Sequence, residues 1–391
     1  MKPKVLIMSS VSSTLWVFYR GLIERLASDG YEVTIAAMDD YHLNRFGTDY
    51  GCRILPMQIH RRISPLQDIR CIIKLAQLLK KEKYDLIHAH TPKAGMIGMI
   101  AAWLMRVPVR IYTLHGLPLE TVRGVKKRIY RAVERLTAAC ATYRLAVSHS
   151  LADRAVELGV CRKDTYHILA DGSACGVDPS RFCSANKDPL KTAALKNSLS
   201  IPQDAVVVGF VGRITKDKGM DCLLDAFSLL SDQYEKVYLL LVGDYDAARD
   251  NRSDGYRKKI EANPKIRHQS FVDDIVPYYF LMDLLVLPSR REGFNYALLE
   301  AGACGLPAVT TRVTGCVDAV LENETGFIVS VDDPDQLRRA METLINNPEL
   351  RVRMGSTAEQ RVSRDFNSKR LIDEHVKLYR QLLDQAAGNT A

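Results

Sequence analysis

Short, unbroken apolar runs recur along the chain. Each is followed by a polar or glycine-bearing loop, then by a stretch in which apolar residues return every three or four positions. The first run, Lys4-Val5-Leu6-Ile7-Met8, lacks the apolar/polar alternation of a half-exposed strand and predicts one buried on both faces of a sheet. Residues 9–14 form a serine-rich loop, and a helix is predicted from Leu15 to about Ser28, stopping at Asp29-Gly30. Further strands are predicted at 31–38, 53–58, 85–90, 109–113 and 144–148, with helices ending near Lys83, over 122–142 and before Gly159. Residues 187–202 read as a linker. The pattern then restarts, with strands at 206–213, 238–243, 266–271, 284–287, 306–311 and 326–329, followed by helix over 334–386. A repeated strand–loop–helix–strand order predicts an α/β protein of two Rossmann-like domains. They are expected at residues 1–185 and 186–368, with a last helix, about 369–391, crossing back onto the first.

The helix over 122–142 carries two messages. Val125, Ile129, Val133 and Leu136 recur at helical spacing, which predicts that their side faces the core. Arg123, Lys126, Lys127, Arg128, Arg131 and Arg135 fill the rest, either as a solvated face or as a membrane-surface contact.

At 391 residues the chain exceeds one ordinary core, in keeping with two domains. Charge is unevenly spread. Residues 1–185 hold 27 Lys and Arg against 16 Asp and Glu, and residues 186–391 hold 27 against 30, so the whole excess of +8 belongs to the first half. A basic half implies an acidic partner: nucleic acid, an anionic membrane or a phosphorylated substrate. No nucleic-acid motif accompanies it and aromatics are not interleaved with it, so nucleic acid is set aside. The nine cysteines are scattered, form no C-x-x-C and find no histidines at zinc spacing, as expected of reduced thiols in a cytosolic protein. No secretion leader is legible at the start, and the longest apolar stretch, 96–105, is too short to span a bilayer.

Candidate chemistry concentrates in one segment. After the apolar run 284–287 and Pro288-Ser289 comes Arg290-Arg291-Glu292-Gly293-Phe294-Asn295, then the helix formers Ala297 to Ala301. Glu292 is expected at the sheet edge and Glu300, eight residues on, two turns into a helix starting near Asn295, both facing one crevice. Backbone N–H groups of 293–295 at a helix start suit electronegative ligand atoms. A second loop follows the strand at 206–213 and offers Arg213 and, in K-D-K-G, Lys218: two cations for a phosphorylated ligand. His115-Gly116 follows the strand at 109–113, where open α/β sheets bind ligands, and it is either a satisfied loop residue or a contact to that ligand. His88 and His90 share one strand face without a third metal ligand nearby in sequence. Lys93, at the mouth of the next helix, can meet an anion, as can the hydroxyls of Ser12 and Ser13, although a plain solvated turn serves the serines equally well. No G-x-G-x-x-G follows the first strand, so the dinucleotide fingerprint is absent.

The segment E-G-F-N-x-x-L-L-E-A-x-A-x-G-x-P, the phrase V-G-R-x(4)-K-G at 211–219 and T-x-H-G at 113–116 together resemble the family 4 glycosyltransferases, retaining enzymes of the GT-B fold. H-T-P-K-A-G at 90–95, R-R-I-S-P at 61–65 and G-S-x-x-G-V-D at 172–178 are similar to the branch that assembles capsular and pilin glycans on polyprenyl diphosphate. The resemblance implies two Rossmann-like domains facing across a cleft, and transfer of a hexose or N-acetylhexosamine from a UDP-sugar to a polyprenyl-diphosphate-linked saccharide. It implies that Arg213 and Lys218 hold the donor diphosphate without a metal or other cofactor. Glu300 would take the ribose hydroxyls, Glu292 with Gly293, Phe294 and Asn295 the sugar, and the backbone at Phe271 the base. His115 would hydrogen-bond a sugar hydroxyl. Arg61, Arg62, Lys93, Ser12 and Ser13 would face the acceptor phosphates, at the inner face of a plasma membrane. Asp244-Tyr245-Asp246 matches the family's L-V-G-D position rather than a D-x-D metal site. Two alternatives stay open: a nucleotide-sugar 2-epimerase on the same fold, and a non-catalytic scaffold of glycan assembly.

Overall fold

The structure, a computed structural model, describes residues 2–59, 64–247 and 250–388; Arg61 and Arg62 lie outside the described residues. The chain divides into two units, one ending at Cys175 and rejoined by the chain from Lys369 onward, the other spanning Gly176–Ser368.

The first unit is built on six parallel strands, β1 (Lys4–Met8), β2 (Glu32–Ala37), β3 (Arg53–Pro56), β4 (Leu86–His90), β5 (Val109–Leu114) and β6 (Tyr143–Ala146), in the order β3-β2-β1-β4-β5-β6. Val5 to Met8 are fully buried, as a strand covered on both faces requires. The helix after β1 starts at Ser12, three residues earlier than its apolar spacing predicts, and turns Leu15, Tyr19, Leu22, Ile23 and Leu26 inward. The helix Tyr41–Tyr50 has no counterpart in the sequence reading. Its boundaries are local, with Asp40 accepting from the Leu43 N–H and Gly51 leaving in the left-handed conformation.

The basic helix, Gly124–Cys140, is the clearest correction. Val125, Ile129 and Leu136 are 70%, 46% and 51% exposed, and the buried face is Glu134, Thr137, Ala138 and Cys140. The buried face is chosen by a polar group: Glu134 accepts a hydrogen bond from the Tyr112 hydroxyl of β5 at 2.6 Å. The apolar residues are left outside among the cations.

The last helix, Ser368–Gly388, belongs to this unit. It buries Leu371, His375, Val376, Leu378 and Tyr379, and pairs Asp373 with Arg25 and Arg380 with Asp29. Ile372 lies where a Cβ on Gly21 would meet its Cδ1 at 2.8 Å, so the two helices touch closely there.

The second unit repeats the plan with β7 (Val206–Val211), β8 (Val237–Val242), β9 (Ile266–Gln269), β10 (Leu284–Leu287), β11 (Ala308–Thr311) and β12 (Gly326–Val329), in the order β12-β11-β10-β7-β8-β9, all parallel. The expected linker contains a helix, Pro189–Ser198, capped by Asp188, whose side chain accepts from the N–H groups of Leu190 and Lys191. All nine cysteines are free thiols. No helix among the described residues is long and apolar enough to cross a membrane.

Candidate active site

Strand order places the site. Sequence runs outward in both directions from the β7–β10 pair, so the loops leaving these two neighbours diverge above the sheet edge and open a crevice between them. Both motif loops lie there. The β7 loop carries Arg213 and a short turn, Lys216–Lys218; the β10 loop carries Ser289 to Asn295. The Arg290 N–H donates to the Asp217 carbonyl at 2.9 Å. Gly219 (φ +75°) sits so close under Pro288 that a Cβ would lie 1.8 Å from the Pro288 carbonyl oxygen. Only glycine allows this approach.

Glu292 is the centre of the contact. Its Oε1 receives three donors: Lys218 Nζ at 2.6 Å, Ser289 Oγ at 2.7 Å and Asn295 Nδ2 at 3.0 Å. Its carbonyl accepts from Thr314 Oγ1 at 2.6 Å. Asn295 occupies the N-cap of the helix Tyr296–Ala303, but its amide turns to Glu292 and makes no cap bond, so the first-turn N–H groups lack that partner. The structure thus unites Lys218 and Glu292 directly. Gly315 (φ +74°) supports the Gly293 backbone from behind, where a Cβ would come within 2.4 Å of the Gly293 carbonyl oxygen.

Arg213 is engaged by Asp246, 2.8 Å away, so the second aspartate of D-Y-D is a partner of the cation. Asp244 accepts from the Phe271 N–H at 3.1 Å, and the Phe271 ring is 72% exposed. Burial opposes ionisation of Asp217, yet the Thr215 hydroxyl and the cations Arg213, Arg291 and Lys218 hold its carboxyl below the usual range. Arg213, Lys218 and Arg291 therefore gather around Asp217, and the motifs did not single out Arg291.

Glu300 stands apart from Glu292 in its partners. The Tyr279 hydroxyl donates to its Oε2 at 2.8 Å, and burial, with Tyr279 and Arg181 pulling the other way, pushes its carboxyl up to about 7. Tyr279 is fully buried, and Phe294 is buried against Phe366, ring centroids 5.6 Å apart.

In the first unit, Ser12 is buried and gives its hydroxyl to Asp40, so it is already satisfied within the fold; Ser13 stays partly exposed beside it. Lys93 pairs with Asp68, both largely buried, so an anion arriving there meets a cation with a carboxylate in place. His88 is held by the Tyr379 hydroxyl on Nδ1 and by Thr113 on Nε2, both at 2.6 Å. His115 Nε2 lies 3.2 Å from the Tyr19 hydroxyl and 3.3 Å from His90 Nδ1. Burial and the nearby His375 push His115 down to about 4, so it is a neutral imidazole near neutral pH. Among the described residues no group of three or more His, Cys, Asp and Glu side chains has the placement to hold a metal.

Tyr279, Ser289, Thr314 and Arg291 were not found from sequence. Ser289 and Arg291 flank Glu292 and could have been included by position. Tyr279 lies 21 residues before its partner and carried no signal.

Comparison with known proteins agrees with this geometry. The family described as "Glycosyl transferases group 1" matches residues 191–361, and "Glycosyl transferase 4-like domain" matches residues 13–172. The chain is 33% identical over 370 residues to the capsular polysaccharide biosynthesis glycosyltransferase CapM of Staphylococcus aureus, covering 94% of this chain and 95% of that one. It is 27% identical over 362 residues, 91% of this chain and 90% of the relative, to an Escherichia coli UDP-Gal:α-D-GlcNAc-diphosphoundecaprenol α-1,3-galactosyltransferase. A glycosyltransferase structure from Rickettsia africae superposes with a TM-score of 0.81 at 19% identity, covering 98% of this chain and 99% of that one. Anabaena HepE in complex with UDP superposes at 0.79 and 20% identity, covering 97% and 100%. The strand order, the loop pair above β7 and β10, and these likenesses along nearly the whole length lead to one conclusion: the chain belongs to the family 4 glycosyltransferases of the GT-B fold.

Proposed function

We propose that the protein transfers a hexose or N-acetylhexosamine from a UDP-sugar to a saccharide carried on polyprenyl diphosphate, with retention of anomeric configuration and without a metal ion. The observation that carries this reading is the Lys218–Glu292 contact with Arg213 on the same loop pair. A departing nucleoside diphosphate gathers negative charge as the glycosidic bond breaks. Lys218 and Arg213, fixed in advance, stabilise that charge, the role a divalent cation plays elsewhere. Glu292 holds the donor sugar's hydroxyls, assisted by N–H groups at the start of the helix Tyr296–Ala303. Glu300 accepts the ribose hydroxyls, and the backbone at Phe271 meets the base. His115, through its likeness to the family's T-x-H-G, hydrogen-bonds a sugar hydroxyl. The acceptor hydroxyl attacks on the face the diphosphate leaves, and the diphosphate takes its proton.

Lipid-diphosphate acceptors are supported by the E. coli relative's name and by the exposed helix Gly124–Cys140, whose outer face mixes Val125, Ile129 and Leu136 with Lys126, Lys127 and Arg128. This composition suits a protein peripheral to an anionic membrane. Ser13, Lys93, Arg61 and Arg62 are assigned to the acceptor phosphates. The experiment is incubation with a panel of UDP-sugars in chelator, with and without a short-chain polyprenyl-diphosphate saccharide, and NMR of the product anomer. A lipid-linked product of inverted configuration, an absolute need for manganese, or an epimer formed without acceptor would each overturn the proposal.

A further inference from the structure

A buried hydroxyl ends on His115, and the direction of that hydrogen bond is fixed by what each alternative would leave unpaired. The Tyr19 hydroxyl lies 3.2 Å from His115 Nε2 and has no other hydrogen-bond partner among the described residues. His90 Nδ1 approaches the same His115 nitrogen. Tyr19 and His90 are both buried.

A neutral imidazole donates from one nitrogen and accepts at the other. Suppose His115 carried its proton on Nε2. Tyr19 would then accept from it, and the buried Tyr19 O–H would have no acceptor of its own among the described residues. His90 would have to accept at Nδ1 and carry its proton on Nε2, an atom that is buried and without any partner. Two buried donors would be stranded. With the lone pair on His115 Nε2 instead, Tyr19 donates to it and is satisfied. That one lone pair cannot also serve His90 in full, so His90 is then the single group left short of a partner. Stranded donors are what native interiors avoid most strictly, and unmet acceptors are more often tolerated.

We infer that Tyr19 is a positioning residue that holds His115 in the Nδ1–H tautomer, so that this partly exposed histidine meets its ligand as a hydrogen-bond donor and not as a base. Resting on the reading that His115 touches the donor sugar, this specifies the contact: the N–H faces a sugar oxygen, and no proton is taken from the acceptor there.

The test is two-dimensional 1H–15N NMR of the histidine-15N-labelled protein, free of ligand, near pH 7.5, with the His115 ring assigned by its loss in His115→Gln. A single His115 species with its proton on Nδ1 is expected. A proton on Nε2, or an even mixture, overturns the inference, and this reading needs no variant to fold. Tyr19→Phe, which keeps the ring, should then let the Nε2–H form appear and lower kcat roughly tenfold, about the worth of one misdirected hydrogen bond. A Tyr19→Phe spectrum identical to the parent's removes Tyr19 from its role. A shifted tautomer with unchanged transfer leaves the Tyr19 role standing and sinks the assignment of His115 to the donor sugar.

Discussion

Donor binding should be linked to the proton on Glu300. Burial raises this carboxyl from its usual 4.5 to about 7, with the Tyr279 hydrogen bond working in the other direction. Two ribose hydroxyls are donors, and only the ionised carboxylate can accept from both. The bound form must therefore be deprotonated, and apparent affinity scales with the ionised fraction of the free protein. With a midpoint of about 7 that fraction is about one-eleventh at pH 6 and ten-elevenths at pH 8. The dissociation constant should fall about tenfold across this interval, about 1.4 kcal/mol. The ligand should be an intact UDP-sugar, whose diphosphate is a diester with no ionisation in the window, since UDP itself would add its own terminal phosphate. Isothermal titration at several pH values, in two buffers of different ionisation enthalpy, gives both the affinity and the protons released. Glu300→Gln should bind more weakly and show a flat profile. Tyr279→Phe removes a hydrogen bond that favours the carboxylate, so the midpoint should move upward. A parent profile that is flat from pH 6 to 8 with no proton release would refute the reasoning.

Other expectations are simpler. Gly219→Ala, with a left-handed backbone and no room at Pro288, should cost roughly 2–4 kcal/mol and lower Tm, whereas Gly255→Ala, in open space on the helix Ser253–Ala262, should be neutral or stabilising by up to about 1 kcal/mol. Glu134, almost fully buried, has its carboxyl pushed by burial up to about 7, so the folded state holds its proton longer than the unfolded one; its stabilising share is present below about pH 4.5 and lost as pH rises through 7. Glu134→Gln should therefore leave denaturant midpoints unchanged near pH 4.5 and raise stability by up to about 3 kcal/mol at pH 8.5; equal shifts at both pH values would contradict the assignment. On the membrane side, the parent should sediment with anionic vesicles at low salt and be released by 0.5 M salt, and K126E/K127E/R128E should remain in the supernatant; a parent that ignores the vesicles ends the membrane proposal.

Sequence patterning made the sheets legible because central strands such as β1, β8 and β10 are almost wholly buried and read as apolar runs, whereas the edge strands β3 and β9 are partly exposed and mix in polar residues. It failed where tertiary contacts decide. Gly124–Cys140 was assigned the wrong buried side because apolar spacing is blind to a carboxylate that finds a buried hydroxyl, here Glu134 with Tyr112. Tyr41–Tyr50 and Pro189–Ser198 were passed over because their ends are set by single capping aspartates, Asp40 and Asp188, rather than by a strong apolar stripe. At the site, the motif residues Arg213, Lys218, Glu292 and Glu300 were visible because their loops are short and local. Their partners come from elsewhere, Asp246 and Thr314 from other loops and Tyr279 from the helix Val276–Leu281, and no spacing rule connects them. In their direct contacts the four groups divide: Lys218 meets Glu292, Arg213 meets Asp246 and Glu300 meets Tyr279.

The bare approach of Gly219 to the Pro288 carbonyl has a bearing on engineering. With no side chain between them, the loops after β7 and β10 are welded edge to edge, and any swap that thickens this seam prises both away together. Libraries meant to change which sugar is carried should keep 212–219, 288–293 and Thr314, which holds the Glu292 carbonyl, constant, and spend their diversity at Tyr296.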